Sequence, residues 1–325
     1  MRIAVTGASG FIGSVLCKQL ASSGSEVIAL SRRFARSLEH RGISHRSCGD
    51  LREEDRERIA ALEGADAVVH LAALAHEKAQ ILEKQKDYET LRRVNAQGTE
   101  RLACECAQAG IQHFVFLSTI GVCGDETFGR PFNEDSPAAP QSLYAASKYE
   151  AEQLLAEVSQ RTGLRVTILR PTLVYGPGNG GNFLRLLRLV HRGWPMPFAS
   201  VDNRRNLTYV GNLVSAVSTV LDRAGAGDVF VVCDSQALST PQLVACLASG
   251  MRCNLRQFPV PGGLLRLVAR AAGRSDTARR LLGSLEADNA KLSRLTSWLQ
   301  PFEAQTALRE TAEWFCAEGG RARSG

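Results

Sequence analysis

The first thirteen residues constrain the fold more than any others. Arg2-Ile3-Ala4-Val5-Thr6 is an apolar, β-rich run that leads straight into Gly7-Ala8-Ser9-Gly10-Phe11-Ile12-Gly13, glycines spaced as GxxGxxG. A helical pattern continues from Ser14 to Ser22. A strand turning this tightly into a helix needs positive φ at the turn. A backbone bared by glycine then lets a pyrophosphate approach the N–H groups of the helix start. Three glycines alone would say little, but strand, turn and helix together specify a dinucleotide-binding unit in which Gly7, Gly10, Phe11, Ile12 and Gly13 form the cradle.

The next strand, Glu26-Val27-Ile28-Ala29-Leu30, ends where the adenosine ribose of such a cofactor lies. An acid there would hydrogen-bond the 2′-hydroxyl of NAD, whereas this chain has Ser31-Arg32-Arg33. A hydroxyl beside guanidinium groups suits a 2′-phosphate, so NADP(H) is the expected cofactor and NAD(H) the alternative.

Strand and helix patterns alternate through the first half of the chain. The continuous apolar runs Ala67 to Ala73 and His113 to Leu117 read as buried parallel strands. Long helices are expected from about Lys78 to Gly110, with one break, and from Ser142 to Gly163, followed by a strand over Arg165 to Leu169. This order predicts an α/β fold, a doubly wound parallel sheet. The expected domains are a cofactor-binding unit over 1–174 and a smaller, mainly helical substrate domain over 175–325. Residues 204–236 return to the first unit through a helix over Gly211 to Arg223 and a strand over Asp228 to Val232.

With 325 residues, 44% of them hydrophobic and 22% charged, the composition is that of a globular protein. No uncharged apolar run approaches the roughly 18 residues of a membrane span, and a strand beginning at Met1 leaves no room for a cleavable signal. The expected location is therefore cytoplasmic. Nine scattered cysteines fit a reducing compartment, and Cys104 and Cys106, two apart on a helix, do not share a face for a metal. The net charge of +6 is not interleaved with aromatics, which make up only 6% of the chain, so nucleic acid is not the expected partner.

Tyr144-Ala145-Ala146-Ser147-Lys148 sets a tyrosine and a lysine four apart at a helix start, on one face. An ammonium near a phenol favours phenolate and would draw Tyr144 toward a working general acid or base. The strand ending at Leu117 delivers Ser118 and Thr119 to the same sheet edge, where either hydroxyl could bond a reacting oxygen.

On Thr6 to Gly13, Asp50-Leu51, His70 to Ala73, Asn95 to Thr99, Ser118-Thr119 with Gly124, Tyr144 to Lys148, Leu169-Arg170-Pro171 and Tyr175-Gly176-Pro177, the chain resembles extended short-chain dehydrogenases/reductases of the nucleotide-sugar epimerase/dehydratase family. The resemblance implies that Thr119, Tyr144 and Lys148 are catalytic. It places Asp50, Leu51, Leu71, Ala72, Ala73, Ser118 and Pro171 around the cofactor and has Asn95 support the active-site strand. His76, Asn182, Phe183 and Arg205 would meet a nucleotide-diphosphate sugar, Arg204 being able to exchange roles with Arg205. A homodimer through the two long helices is implied as well.

Departures from the family pattern sharpen the expectation. The acidic pair that follows the catalytic threonine in 4,6-dehydratases is Ile120-Gly121 here, which speaks against dehydration, and Cys123 replaces a common tyrosine. Without an acid to hold NAD, the expected reaction is net reduction of a keto-sugar by NADPH. The chain as a whole resembles reductases of bacterial surface-polysaccharide synthesis, and that resemblance implies a nucleotide-diphosphate 4-keto-6-deoxy-hexose, UDP-linked and N-acetylated, as the substrate. The alternatives are a UDP-sugar 4-epimerase with tightly bound NAD and a non-catalytic NADP sensor.

Overall fold

The computed structural model describes residues 1–32, 38–53, 56–74, 84–223, 228–273 and 275–321. Its main sheet is built from β1 (Arg2–Thr6), β2 (Glu26–Leu30), β3 (Ile43–Arg46), β4 (Ala67–His70), β5 (His113–Leu117), β6 (Arg165–Pro171) and β9 (Val229–Val232). All are parallel, in the order 3-2-1-4-5-6-9. A second, two-stranded sheet pairs β7 (Leu173–Tyr175) with β8 (Leu207–Tyr209).

The side-chain alternation of the strands divides the core in two. Ile3, Val5, Val27, Ala29, Val69 and Val115 face one layer, formed by α1 (Phe11–Ser22) and α7 (Val210–Arg223). Ala4, Ile28, Val68, Phe114 and Phe116 face the other, formed by α2 (Arg56–Leu62), α4 (Gly98–Gln108) and α5 (Leu143–Thr162). Buried on both sides, these strands are apolar throughout, as parallel strands must be.

Helix limits follow capping chemistry. Ser142 accepts from the Ala145 N–H to start α5, and Gly163, in the left-handed conformation, ends it. The break expected in the long helical stretch is a π-helical segment over Arg92–Gln97, between α3 (Lys84–Leu91) and α4.

Beyond β7 the chain forms α6 (Gly181–His191), and after β9 come α8 (Thr240–Gly250), α9 (Gly262–Ala271), α10 (Ser275–Leu282), α11 (Ala290–Thr296) and α12 (Ala304–Arg321). The return of the chain is anchored by Asp234, which is fully buried just past β9. Its carboxylate accepts from the Tyr175 hydroxyl, the Tyr209 N–H and the Asn212 amide, so one side chain ties together the small sheet, α7 and the edge of the main sheet.

Candidate active site

The turn after β1 has the geometry that its glycines anticipate. Gly7 sits at φ 67°, and a Cβ on it would lie 2.8 Å from the Ala72 nitrogen; a Cβ on Gly13 would lie 2.2 Å from the Gly7 carbonyl oxygen. Gly10 caps α1 without any side chain bonding the first-turn N–H groups. In front of this turn opens a cleft of about 390 Å³. Gly7, Ser9 and Gly10 line one end, Leu71, Ala72 and Ala73 the middle, and Arg32, Asp50, Leu51 and Arg52 the other end. The close packing of the glycines and the open cleft beside them fit these residues to a dinucleotide.

The residues expected around the adenosine sit in different surroundings. Arg32 is exposed and lines the cleft, whereas Ser31 is buried and its hydroxyl is bonded to His45 Nε2 at 2.9 Å. Arg33 and His76 lie outside the described residues. Asp50 is gripped by the Arg52 guanidinium at 2.6 Å, which holds its carboxyl down to about 2.

The carboxyl edge of the sheet is organised by two buried networks. In the first, the Thr99 hydroxyl donates to the Asn95 carbonyl at 2.7 Å and therefore accepts from His70 Nε2 at 3.0 Å. Nδ1 of His70 is then the acceptor for the Thr6 hydroxyl at 2.6 Å, and Thr6 in turn accepts from the Ala72 N–H. His70 is fully buried in the core, and its bonds also fix the loop lining the cleft. Burial, together with the nearby Lys148 charge, pushes its pKa down to about 3. Asn95 completes this network by holding the Leu74 N–H and carbonyl and bonding the Ser147 hydroxyl on α5.

The second network is one that the sequence expectations do not point to. Glu152, one turn beyond Lys148 on α5, accepts from Arg170 on β6 and from the Ser118 hydroxyl. Ser118 is buried, and its hydroxyl is engaged by Glu152 within this ion pair. The signal was present as Glu152 at the next helical position after Tyr144 and Lys148, with Arg170 before Pro171 at the end of β6. Cys123 joins the same cluster through Arg170, and burial raises its thiol pKa.

Thr119 is half-exposed, and its oxygen accepts from the Gly121 N–H at 3.2 Å, leaving its own proton to donate. Gly121 is the spacer against α5, since a Cβ there would stand 3.4 Å from Thr119 Oγ1 and 3.5 Å from Ala145 Cβ. Thr119 and the first turn of α5 are therefore neighbours. Tyr144, on that turn, is half-buried and its hydroxyl bonds none of the described residues.

The expected effect of Lys148 on Tyr144 is not what the structure gives. Burial raises the phenol to about 12, and burial lowers Lys148 to about 7 against the opposing pull of Glu152. Desolvation is the cause that acts on the phenol, and in the free protein it stays neutral. The Lys148 ammonium lies 4.2 Å over the Phe116 ring.

Of the expected substrate residues, Arg205 is half-buried. It donates to the Gly283 carbonyl at 2.9 Å, with Asp125, Glu126 and Arg280 nearby. Arg204 is instead exposed and paired with Glu286. Asn182 is exposed at the start of α6, but the Phe183 side chain is 3% exposed and packs on Tyr175 with ring centroids 5.5 Å apart. Core packing removes that ring from the surface where a sugar contact was expected. No group of His, Cys, Asp and Glu among the described residues could hold a metal ion.

Comparison with known proteins agrees with this geometry. The sequence profile of the NAD dependent epimerase/dehydratase family matches residues 3–233. A UDP-glucose 4-epimerase of Vibrio cholerae is 34% identical over 98% of this chain and 97% of its own length. A dTDP-glucose 4,6-dehydratase of Streptomyces griseus is 32% identical over 75% of this chain and 76% of its own. The crystal structure of a UDP-glucuronic acid 4-epimerase from Bacillus cereus in complex with NAD has the same fold, with a TM-score of 0.78 over 98% of this chain and 99% of that one at 22% identity. Glycine cradle, open cleft and the Thr119, Tyr144 and Lys148 edge thus come together in a chain that belongs to the NAD-dependent epimerase/dehydratase family of short-chain dehydrogenase-type enzymes.

Proposed function

We propose that the protein moves hydride between a nicotinamide cofactor and C4 of a hexose carried on a nucleoside diphosphate. In its working direction it reduces a 4-keto-6-deoxy sugar, UDP-linked and N-acetylated, with NADPH. The observation that carries the direction is the end of β2, where Arg32 lines the cleft and no acid is present. A guanidinium there favours a 2′-phosphate, and NADPH arriving reduced and leaving oxidised gives net reduction.

When bound, the nicotinamide supplies the hydride; the chain supplies everything else. Tyr144, kept as neutral phenol by burial, is a proton donor for the C4 oxygen as that oxygen gains charge. Thr119 donates its remaining hydrogen bond to the same oxygen. Lys148 binds the nicotinamide ribose, and Gly7 to Gly13 receive the pyrophosphate. Arg205 offers its guanidinium to the substrate diphosphate, and Asn182, exposed at the start of α6, meets the nucleotide-sugar. Ile120 and Gly121 provide no acid or base for eliminating water, so the reaction stops at hydride transfer. The reading includes a homodimer through α4 and α5 and, with all nine cysteines free, the cytoplasm as its compartment.

A 4-epimerase is the second reading, favoured by the Vibrio cholerae relative. It uses the same residues, with the cofactor retained between the two half-reactions. The experiment follows NADPH and NADH oxidation against a panel of UDP- and dTDP-linked 4-keto-6-deoxy sugars, alongside UDP-glucose and UDP-N-acetylglucosamine. Stoichiometric NADPH consumption with a UDP-linked keto sugar supports the reductase. Copurifying NAD with interconversion of C4 epimers and no net cofactor use overturns it in favour of the epimerase.

A further inference from the structure

The half of the molecule beyond β7 carries a surface that this chemistry does not use. No acidic residue lies between Glu157 and Asp202, or between Asp234 and Asp276. The fold stitches the two acid-free stretches together: the Met196 N–H donates to the Arg256 carbonyl at 2.9 Å, and the Phe258 N–H returns to the Met196 carbonyl at 3.1 Å. Along this seam and its flanks, Arg185, Arg188, Arg192, Arg252, Arg256, Arg266 and Arg270 are all exposed. None is ion-paired among the described residues.

Helix α9 stands out within this surface because none of its residues is buried. One side, Leu265 and Ala269, packs on Phe198, Val201, Ala278 and Leu282. The other presents Leu264, Leu267, Val268 and Ala271, at i, i+3, i+4 and i+7, with Leu264, Leu267 and Val268 50%, 63% and 59% exposed. That is a continuous apolar stripe facing outward. Trp194 and Phe258, 59% and 44% exposed, extend the apolar character along the seam.

We propose that this face is a docking surface for an anionic phospholipid bilayer, α9 lying flat in the interface with its outer stripe in the acyl boundary and the arginines on lipid phosphates. Charge and apolarity together select this occupant. A bilayer is the partner that offers a dense anionic plane with hydrocarbon directly beneath it. A second copy meeting this face symmetrically would set arginines against arginines with no acid to answer them, and nucleic acid would leave the apolar stripe wet.

The test is co-sedimentation of the full chain with vesicles of phosphatidylcholine alone and of equal parts phosphatidylcholine and phosphatidylglycerol. Binding is expected only with the anionic vesicles. It should weaken about tenfold or more when moderate salt is added, because the arginine attraction is screened. Leu267→Gln with Val268→Gln, and separately Arg266→Gln with Arg270→Gln, should each abolish it, whereas Lys18→Gln on α1 should not. All four positions are exposed, so the variants should keep the melting temperature of the original chain. In the unaltered protein, emission from Trp194 should shift to the blue on anionic vesicles, a shift absent in Trp194→Phe. Equal binding to both vesicle types, or undiminished binding by the double variants, would overturn the proposal. A fall in solution mass for the Leu267/Val268 variant without loss of vesicle binding would assign the stripe to self-association and overturn it as well.

Discussion

Single atoms decide much of what this chain can do. Tyr144 is the proton donor in the proposed reaction, and Tyr144→Phe removes one oxygen from a ring that is otherwise packed in place. Turnover should fall about 10²- to 10⁴-fold while the affinity for NADPH, measured by fluorescence titration, stays within a factor of about two. Near-normal turnover would contradict the role. Gly13 is a second such position, because a methyl there meets a carbonyl oxygen at 2.2 Å. Gly13→Ala should cost about 1–3 kcal/mol in denaturant unfolding and raise the cofactor dissociation constant steeply. Arg32→Ala, at an exposed position, should leave stability alone and erase the preference for NADPH over NADH in kcat/KM.

The conformation of the glycine turn and the placement of Tyr144 and Lys148 on one helix face are legible in the sequence because local spacing dictates them, whereas the choice of Thr119 over Ser118 rests on the family resemblance. The engagement of the Ser118 hydroxyl and the core placement of Phe183 are not legible there, since both depend on partners far along the chain: Glu152 and Arg170 for the first, Tyr175 for the second. The titration behaviour of Tyr144 and Lys148 is not legible in the sequence for a related reason. Spacing reveals which charges are neighbours but not how much water has been removed from around them, and here burial is the larger effect.

Helix α5 carries the working parts. Along it Tyr144, Lys148 and Glu152 recur every fourth residue, so one face delivers the phenol of the proposed reaction, the lysine and the carboxylate that clamps β5 to β6 through Ser118 and Arg170. Removing the carboxylate strands a guanidinium that is 9% exposed. Glu152→Ala should therefore cost about 3–5 kcal/mol, read as a shift in the denaturation midpoint, and Glu152→Gln distinctly less. The π-helical segment before α4 is the corresponding device on the other side of the cleft. Asn95 sits within it and grips the backbone of Leu74. The sequence marks this break only as an interruption in a long helical pattern, because a π turn differs from an α turn by one hydrogen bond and not by composition.

Considered as a whole molecule, the protein should lose stability on the acid side. His70 and His113 have native pKa values near 3 and 4, against 6.5 when unfolded, because burial disfavours their cations. The unfolded chain thus binds more protons than the native one below pH 6.5, and stability declines progressively from there. Lys148, lowered to about 7 from 10.5, acts with the same sign in the alkaline range, so stability also rises between those values. Denaturant titrations across this range should show both slopes. His70→Asn, which removes one of the two titrating imidazoles, should flatten the acid limb.

The sheet order has a further consequence for how the chain comes into being. β9 borders β6, and α7 covers the face of α1, yet both are encoded after the whole of α6 and the small sheet. As the ribosome makes the polypeptide from its amino end, the strand edge of β6 stays bare and the α1 layer stays half-roofed until Val232 has emerged. The nascent cofactor-binding half should depend on chaperone shelter during that interval, and a stop codon placed after β7 should yield an aggregating fragment rather than an autonomous domain.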